Sequence, residues 1–120
     1  MNTPEVITSL APGEVFVFGS NRRGHHAGGA AAAAHRHFGA VWGEGDGLHG
    51  QSYAIDTMSG LEAMAANVAR FLDFARTHPE LTFLVTPIGC GIAGYAPSVV
   101  APMFDGASEN VILPTVFAAG

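Results

Sequence analysis

Phe83-Leu84-Val85-Thr86-Pro87-Ile88-Gly89-Cys90-Gly91-Ile92-Ala93-Gly94-Tyr95 is the stretch on which the reading of this chain turns. It begins as an apolar run of strand type and breaks at Pro87. A loop with three glycines follows, and Pro97 marks the restart of a helix. A strand that ends in a glycine loop and leads into a helix is where an α/β protein can hold phosphate. The loop amides can point inward because glycine has no Cβ to obstruct them. A second glycine loop, Gly19 to Gly29, follows an earlier apolar strand, Val15-Phe16-Val17-Phe18. Both loops follow strands directly, so both are expected at one sheet edge, facing each other across a cleft.

The remaining elements can be placed around these two. Met1 to Gly13 is a lead-in in which Glu5-Val6-Ile7-Thr8 reads as a short edge strand. After the first loop, Ala30 to Phe38 reads as a helix. Its five consecutive alanines favour helix and leave little bulk between helix and sheet. His35, Arg36 and His37 lie in its last turn, where positive charge suits the helix dipole, and Gly39 is placed to end it. Ala40-Val41-Trp42 is a short apolar piece, Trp42 reading as core. Gly43 to Gly50 reads as a flexible turn region whose Glu44, Asp46 and His49 either cover the cleft or face solvent. Ser52 to Ile55 reads as a strand ending at Asp56-Thr57. Leu61, Met64, Ala65, Val68, Phe71, Leu72 and Ala75 recur at helical spacing and define one apolar face. Ser59-Gly60-Leu61-Glu62 fits a capping box at its start, and His78-Pro79 ends it. Leu81 to Val85 is the next strand, Pro97 to Phe104 a helix, and Val111-Ile112-Leu113 a last strand before Pro114. Strands alternating with helices imply an α/β fold with a mostly parallel sheet and helices on both faces.

The chain has 120 residues, enough for one domain with a single core. Only 12% of residues are charged, which fits either a homo-oligomer or a chain rich in alanine and glycine. A net charge of −5, with five arginines and no lysine, disfavours general nucleic-acid binding. One cysteine excludes an internal disulfide framework and is compatible with a reducing cytoplasm. No signal-peptide pattern is present, and no apolar run reaches the about 18 residues of a membrane span.

The chemistry on offer is mostly backbone chemistry. In the second loop, the amides of Ile88, Gly89, Cys90, Gly91, Ile92, Ala93 and Gly94 can hold a diphosphate, with Tyr95 flanking a ribose or phosphate. Equally, the glycines can serve a tight strand-to-helix turn alone. The spacing matches neither the P-loop nor the dinucleotide fingerprint. In the first loop, Gly19, Ser20 and Asn21 follow the strand, and Asn can bond ribose hydroxyls or a base edge. Ala27, Gly28 and Gly29 open a helix, where amides attract anions. Arg22 and Arg23 read as surface residues. The histidines lack the i, i+4 spacing and the companion ligands of a zinc site, so no metal is expected. His25 or His26 is the better candidate for an acid or base near neutral pH, with His35 as a further one. Cys90 reads as a small buried residue and not a nucleophile. Asp56, at a strand end, either contacts a ligand or caps a turn.

Taken together, the two loops resemble the macrodomain family, which binds ADP-ribose. The closest likeness is to the branch containing terminal ADP-ribose protein glycohydrolase. That branch carries an Ile-Gly-Cys-Gly-Leu-Asp type loop, and this chain has Ile88-Gly89-Cys90-Gly91-Ile92-Ala93. Gly91-Ile92-Ala93-Gly94-Tyr95-Ala96-Pro97 also resembles the Gly-Ile-aromatic-Gly-Tyr-Pro loop of other members. Ala27-Gly28-Gly29-Ala30-Ala31, followed by Phe38-Gly39, is similar to the family's first loop and helix. The chain is further similar to small phage and bacterial proteins with a Phe-Gly-Ser-Asn start and a Gly-Gln-Ser-Tyr-Ala segment. The resemblance implies a three-layer macrodomain-like fold and a cleft for ADP-ribose or a related nucleotide diphosphate. It also raises hydrolysis of an ADP-ribosyl linkage as an activity. The branch's hydrolases use a lysine near the first helix and an aspartate in the second loop. This chain has no lysine, and Ala93 stands at the aspartate's place, so that mechanism is not carried over. The family's acidic partner for adenine is replaced by Ser20. The alternatives are a non-catalytic reader or sequestering module for a nucleotide signal, and a structural or assembly protein that has lost the site.

Overall fold

A computed structural model describes residues 10–20, 47–90 and 93–118. The sequence-expected strand Glu5 to Thr8, the helix Ala30 to Phe38, the piece Ala40 to Trp42 and most of the first loop lie outside these residues.

The frame is a five-stranded sheet in the order β2-β3-β1-β4-β5. β1 is Glu14–Ser20, β2 Gly47–His49, β3 Ser52–Asp56, β4 Thr82–Val85 and β5 Val111–Ile112. β3, β4 and β5 run parallel to β1, directly or through β4, and β2 alone is antiparallel, paired with β3. The expectation of a mostly parallel sheet therefore holds. β1 runs two residues further than its apolar core suggests, because Gly19 and Ser20 still pair with Ile55 and Asp56. Part of the expected turn region is strand: Gly47 at φ +89 opens β2, which returns along β3 after the turn at Gly50 and Gln51.

Strand alternation sorts the side chains onto two faces. Val15, Val17, Tyr53, Ile55, Phe83, Val85 and Val111 share one core cluster. Helix α1, Leu61–Arg76, covers that face with Met64, Val68, Phe71, Leu72 and Ala75. Phe71 meets Tyr53 at 4.9 Å between ring centroids and Phe83 edge-on at 5.3 Å. Full burial of one such ring contributes about 1.5–3 kcal/mol. Leu61 and Ala65, which the spacing puts on the apolar stripe, are exposed, so the stripe is narrower at the start of α1 than its sequence suggests. On the opposite face Phe16, Phe18, Ala54 and Leu84 are buried as well. Both faces of the sheet are thus shielded from water, while the described helices all join the cluster on the α1 face.

The expected capping box at α1 does not form. The N-cap is Gly60, at φ +99, with no side-chain cap. The Ser59 hydroxyl donates instead to Asp56 Oδ2, and the Met58 amide donates to Asp56 Oδ1 at 3.0 Å. A charged acceptor so near in the chain is the stronger partner for a hydroxyl. The expected helix Pro97 to Phe104 is one α-helical turn, α2 (Pro97–Val100), that tightens into a 3-10 turn over Ala101–Phe104. Pro102 has no N–H to offer the preceding turn, so the α ladder cannot continue through it. Beyond Pro114 a further turn, α3 (Thr115–Ala118), brings Phe117 onto Phe104 with centroids 5.6 Å apart.

The far end of α1 is tied down by Asn110, just before β5. Its Nδ2 donates to the carbonyls of Ala75, His78 and Leu81 at 2.9, 3.0 and 3.1 Å. Its Oδ1 accepts from the Ser108 hydroxyl. One side chain therefore joins the end of α1, the turn after it and the start of β4 and β5. Asn110→Ala should lose about 1–3 kcal/mol of unfolding free energy in urea titrations, since three part-buried carbonyls would lose the side-chain donor that ties them together. A change below about 0.5 kcal/mol would show that water replaces it freely.

Candidate functional site

The carboxyl ends of β1, β3 and β4 meet at one sheet edge. Ser20 is in register with Asp56, and Val17 with Val85. The chain leaves each strand end through a threonine bonded to β1. The Thr57 amide and hydroxyl both donate to the Ser20 carbonyl, at 3.0 and 3.3 Å. The Thr86 amide and hydroxyl both donate to the Val17 carbonyl, at 3.0 and 2.8 Å. Neither threonine stands out by composition; their place, directly after a strand, is the sequence signal that marks them.

Between these anchors Gly19, near the end of β1, lies close to Gly89 of the second loop. A Cβ built on Gly19 would lie 3.6 Å from the Gly89 amide nitrogen and 3.2 Å from the Thr57 hydroxyl oxygen. Bare backbone at Gly19 thus lets the root of the first loop sit against the second. The second loop is closed on itself. The Ile88 amide donates to the Thr86 carbonyl, Cys90 to Pro87, and Tyr95 to Gly89 at 2.8 Å. Gly89, at φ +76, is the corner. A Cβ there would stand 2.6 Å from Met64 Cε and 3.4 Å from the Tyr95 ring. Met64 of α1 is therefore the floor of the loop and Tyr95 one wall. Gly89 is buried, and among the described residues its amide meets no acceptor. That leaves a donor close to Gly19.

Among the described residues, the side chains nearby offer little reactive chemistry. Burial pushes the Cys90 thiol up from its ordinary value, which keeps it protonated and weakly nucleophilic near neutral pH. Both oxygens of Asp56 are engaged by its own turn, and Asn67 Nδ2 donates to its main-chain carbonyl. The Asp56 side chain therefore caps the turn, one of the two roles its position allows. Ile88 sends its side chain into the core, leaving its backbone at the loop. Ala93 is half-buried and Gly94, at φ +78, exposed. Of the sequence-expected site, the structure brings together Gly19, Ser20, Asp56, Ile88, Gly89, Cys90, Ala93, Gly94 and Tyr95 at this edge. Asn21, Ala27, Gly28, Gly29, Gly91, Ile92 and the histidines His25, His26 and His35 lie outside the described residues. Among the described residues, no three His, Cys, Asp or Glu side chains are grouped to hold a metal ion. No helix among them is long and apolar enough to cross a membrane.

No family model, curated protein or solved structure matches the chain.

Two outcomes follow from the loop geometry. Gly89→Ala should destabilise the protein by more than Gly94→Ala in denaturant titrations. Both incur about 1–2 kcal/mol for a left-handed non-glycine backbone, but only Gly89→Ala also displaces Met64 and Tyr95. Equal losses would contradict the close contact. In alkylation kinetics the Cys90 rate should rise with a midpoint above that of a free cysteine. For stability, the folded thiol holds its proton above the unfolded pKa, so the stability present below about pH 8.5 declines as pH rises further. Cys90→Ala should remove that alkaline decline.

Proposed function

We propose that this chain is a diverged, three-layer macrodomain-like protein of the reducing cytoplasm that binds ADP-ribose or a related nucleotide diphosphate. The observation that carries the reading is the apposition of Gly19 and Gly89 at the carboxyl edge of a parallel sheet. The main chain at Gly19 lies close to the Gly89 amide, and a buried amide without an acceptor among the described residues suits an anionic oxygen. The burial of Phe16, Phe18 and Ala54 on the face away from α1 supports a covering layer there, as a three-layer fold requires. The diphosphate would rest on the amides of the loop from Ile88 to Tyr95, with Tyr95 beside a ribose. The loop beginning at Gly19 would form the other wall.

A reader without catalysis is favoured over a hydrolase by one observation: the described groups around the loop are not free to react. Ala93 replaces the carboxylate of the related hydrolases, no lysine exists, Asp56 caps its own turn and the Cys90 thiol is held protonated. Hydrolysis, if present, would fall to His25, His26, His35 or a water held by the ligand.

Titration calorimetry with ADP-ribose tests the proposal. Saturable heat is expected, together with competition by ADP. No heat at millimolar ligand from folded protein would overturn it. Turnover of ADP-ribosylated protein or nucleic acid would then replace the reader with an enzyme.

A further inference from the structure

Two exposed residues, Asp105 and Gly106, join the 3-10 turn that ends at Phe104 to the segment entering β5. Their backbone is a tight turn. Asp105 has φ −60 and ψ 135, Gly106 has φ +82, and the Ala107 amide donates to the Phe104 carbonyl at 3.1 Å. These angles are those of a type II turn, whose third residue takes positive φ and is usually glycine. The peptide between Asp105 and Gly106 is the middle one of the turn, and the turn's own hydrogen bond does not use it. Among the described residues the Gly106 amide meets no acceptor and the Asp105 carboxyl group no partner. A Cβ built on Gly106 would have nothing within 4 Å. An electrophilic carbon, Cγ of Asp105, and the nitrogen that can close a five-membered ring on it therefore stand exposed together, with no side chain on Gly106 to obstruct closure. At ψ 135 the Gly106 nitrogen is turned away from the Asp105 side chain. Closure needs rotation about the Asp105 Cα–C bond, which gives up the single hydrogen bond from Ala107 to Phe104.

We propose that Asp105-Gly106 is a site of spontaneous covalent modification, the isomerisation of aspartate to isoaspartate. The Gly106 nitrogen bonds to Cγ of Asp105 in its neutral acid form, and the amide proton leaves with the carboxyl hydroxyl as water. Water then adds to one carbonyl of the cyclic imide and the C–N bond there breaks. Attack at Cγ restores aspartate. Attack at the main-chain carbonyl leaves the chain running through Cβ and Cγ, with a free α-carboxylate. Nothing is oxidised or reduced, and the mass is unchanged. The main chain becomes one atom longer between two fixed points: Phe104, stacked on Phe117, and Asn110, whose side chain holds the end of α1. The reaction is independent of anything bound at the carboxyl edge of the sheet.

The test holds the folded full-length protein near neutral pH, digests it with trypsin and labels isoaspartyl carboxylates with an isoaspartyl methyltransferase. The label is expected in the segment Thr77 to Gly120, whose only aspartate is Asp105, and the segment should keep its mass, as deamidation at Asn110 would not allow. The other Asp-Gly pair, Asp46-Gly47, falls in a separate tryptic segment. The rate in the folded protein should lie within about tenfold of that in a free peptide spanning Met103 to Glu109, since only one hydrogen bond is given up. Asp105→Glu keeps the charge but would need a six-membered ring, so its segment should stay unlabelled. A slower rate in the folded protein would overturn the proposal, because the turn would then protect the bond. Equal label in Asp105→Glu would overturn it too, by placing the modification elsewhere.

Discussion

β1 is hydrogen-bonded along both of its edges, and the rest of the structure depends on that. Its even-numbered residues turn their backbone groups toward β3, as the Phe16 amide and the Ser20 carbonyl show. Val17, odd-numbered, turns its carbonyl toward β4. The same alternation sends Val15 and Val17 under α1 and Phe16 and Phe18 to the other face. A register slip by one residue would exchange these sets and expose or bury every one of them wrongly. Once the register is set, the strand ends are set too, and with them the places where the loops begin.

What emerges at that edge is built from main chain more than from side chains. Gly19 lies close to the Gly89 amide, and Met64 and Tyr95 fill the space that a Cβ on Gly89 would need. The polar side chains close by, Thr57, Thr86 and Asp56, make their hydrogen bonds to the protein itself. On the proposed reading, the described part of this edge would hold a ligand through main-chain groups.

Much of this frame was legible in the residues. Continuous apolar runs such as Val15 to Phe18 and Phe83 to Val85 mark strands buried on both faces, and the spacing from Met64 to Ala75 marks α1. The glycines after Val85 marked the loop that follows β4, while Gly19, read as the start of the first loop, proved to belong to β1. The misses have local causes. The capping box failed because Asp56, three residues before Ser59, captured the hydroxyl, a competition invisible to a four-residue motif. Gly47 to His49 hid as a turn because glycine there opens an edge strand. Pro102 shortened a helix that its neighbours favour. The contact between Met64 and Gly89 joins residues 25 positions apart, and no local pattern announces it. The threonine anchors are likewise long-range: the Thr86 hydroxyl and its Val17 acceptor are separated by 69 residues.

That separation bears on how the molecule comes together. The strand before β4 in sequence is β3, yet β4 docks on the far side of β1, with α1 carrying the chain across. Pairing β1 with β4 must close a loop spanning most of the chain, an entropic cost met before its contacts reward it. The helix and its flanking strand can gather locally at little such cost. The sheet edge bearing both glycine loops therefore exists only once the most distant pairing has formed. On the proposed reading, a molecule held at this edge would meet its complete site only in the fully assembled chain, and its binding would stabilise that state against unfolding as a whole.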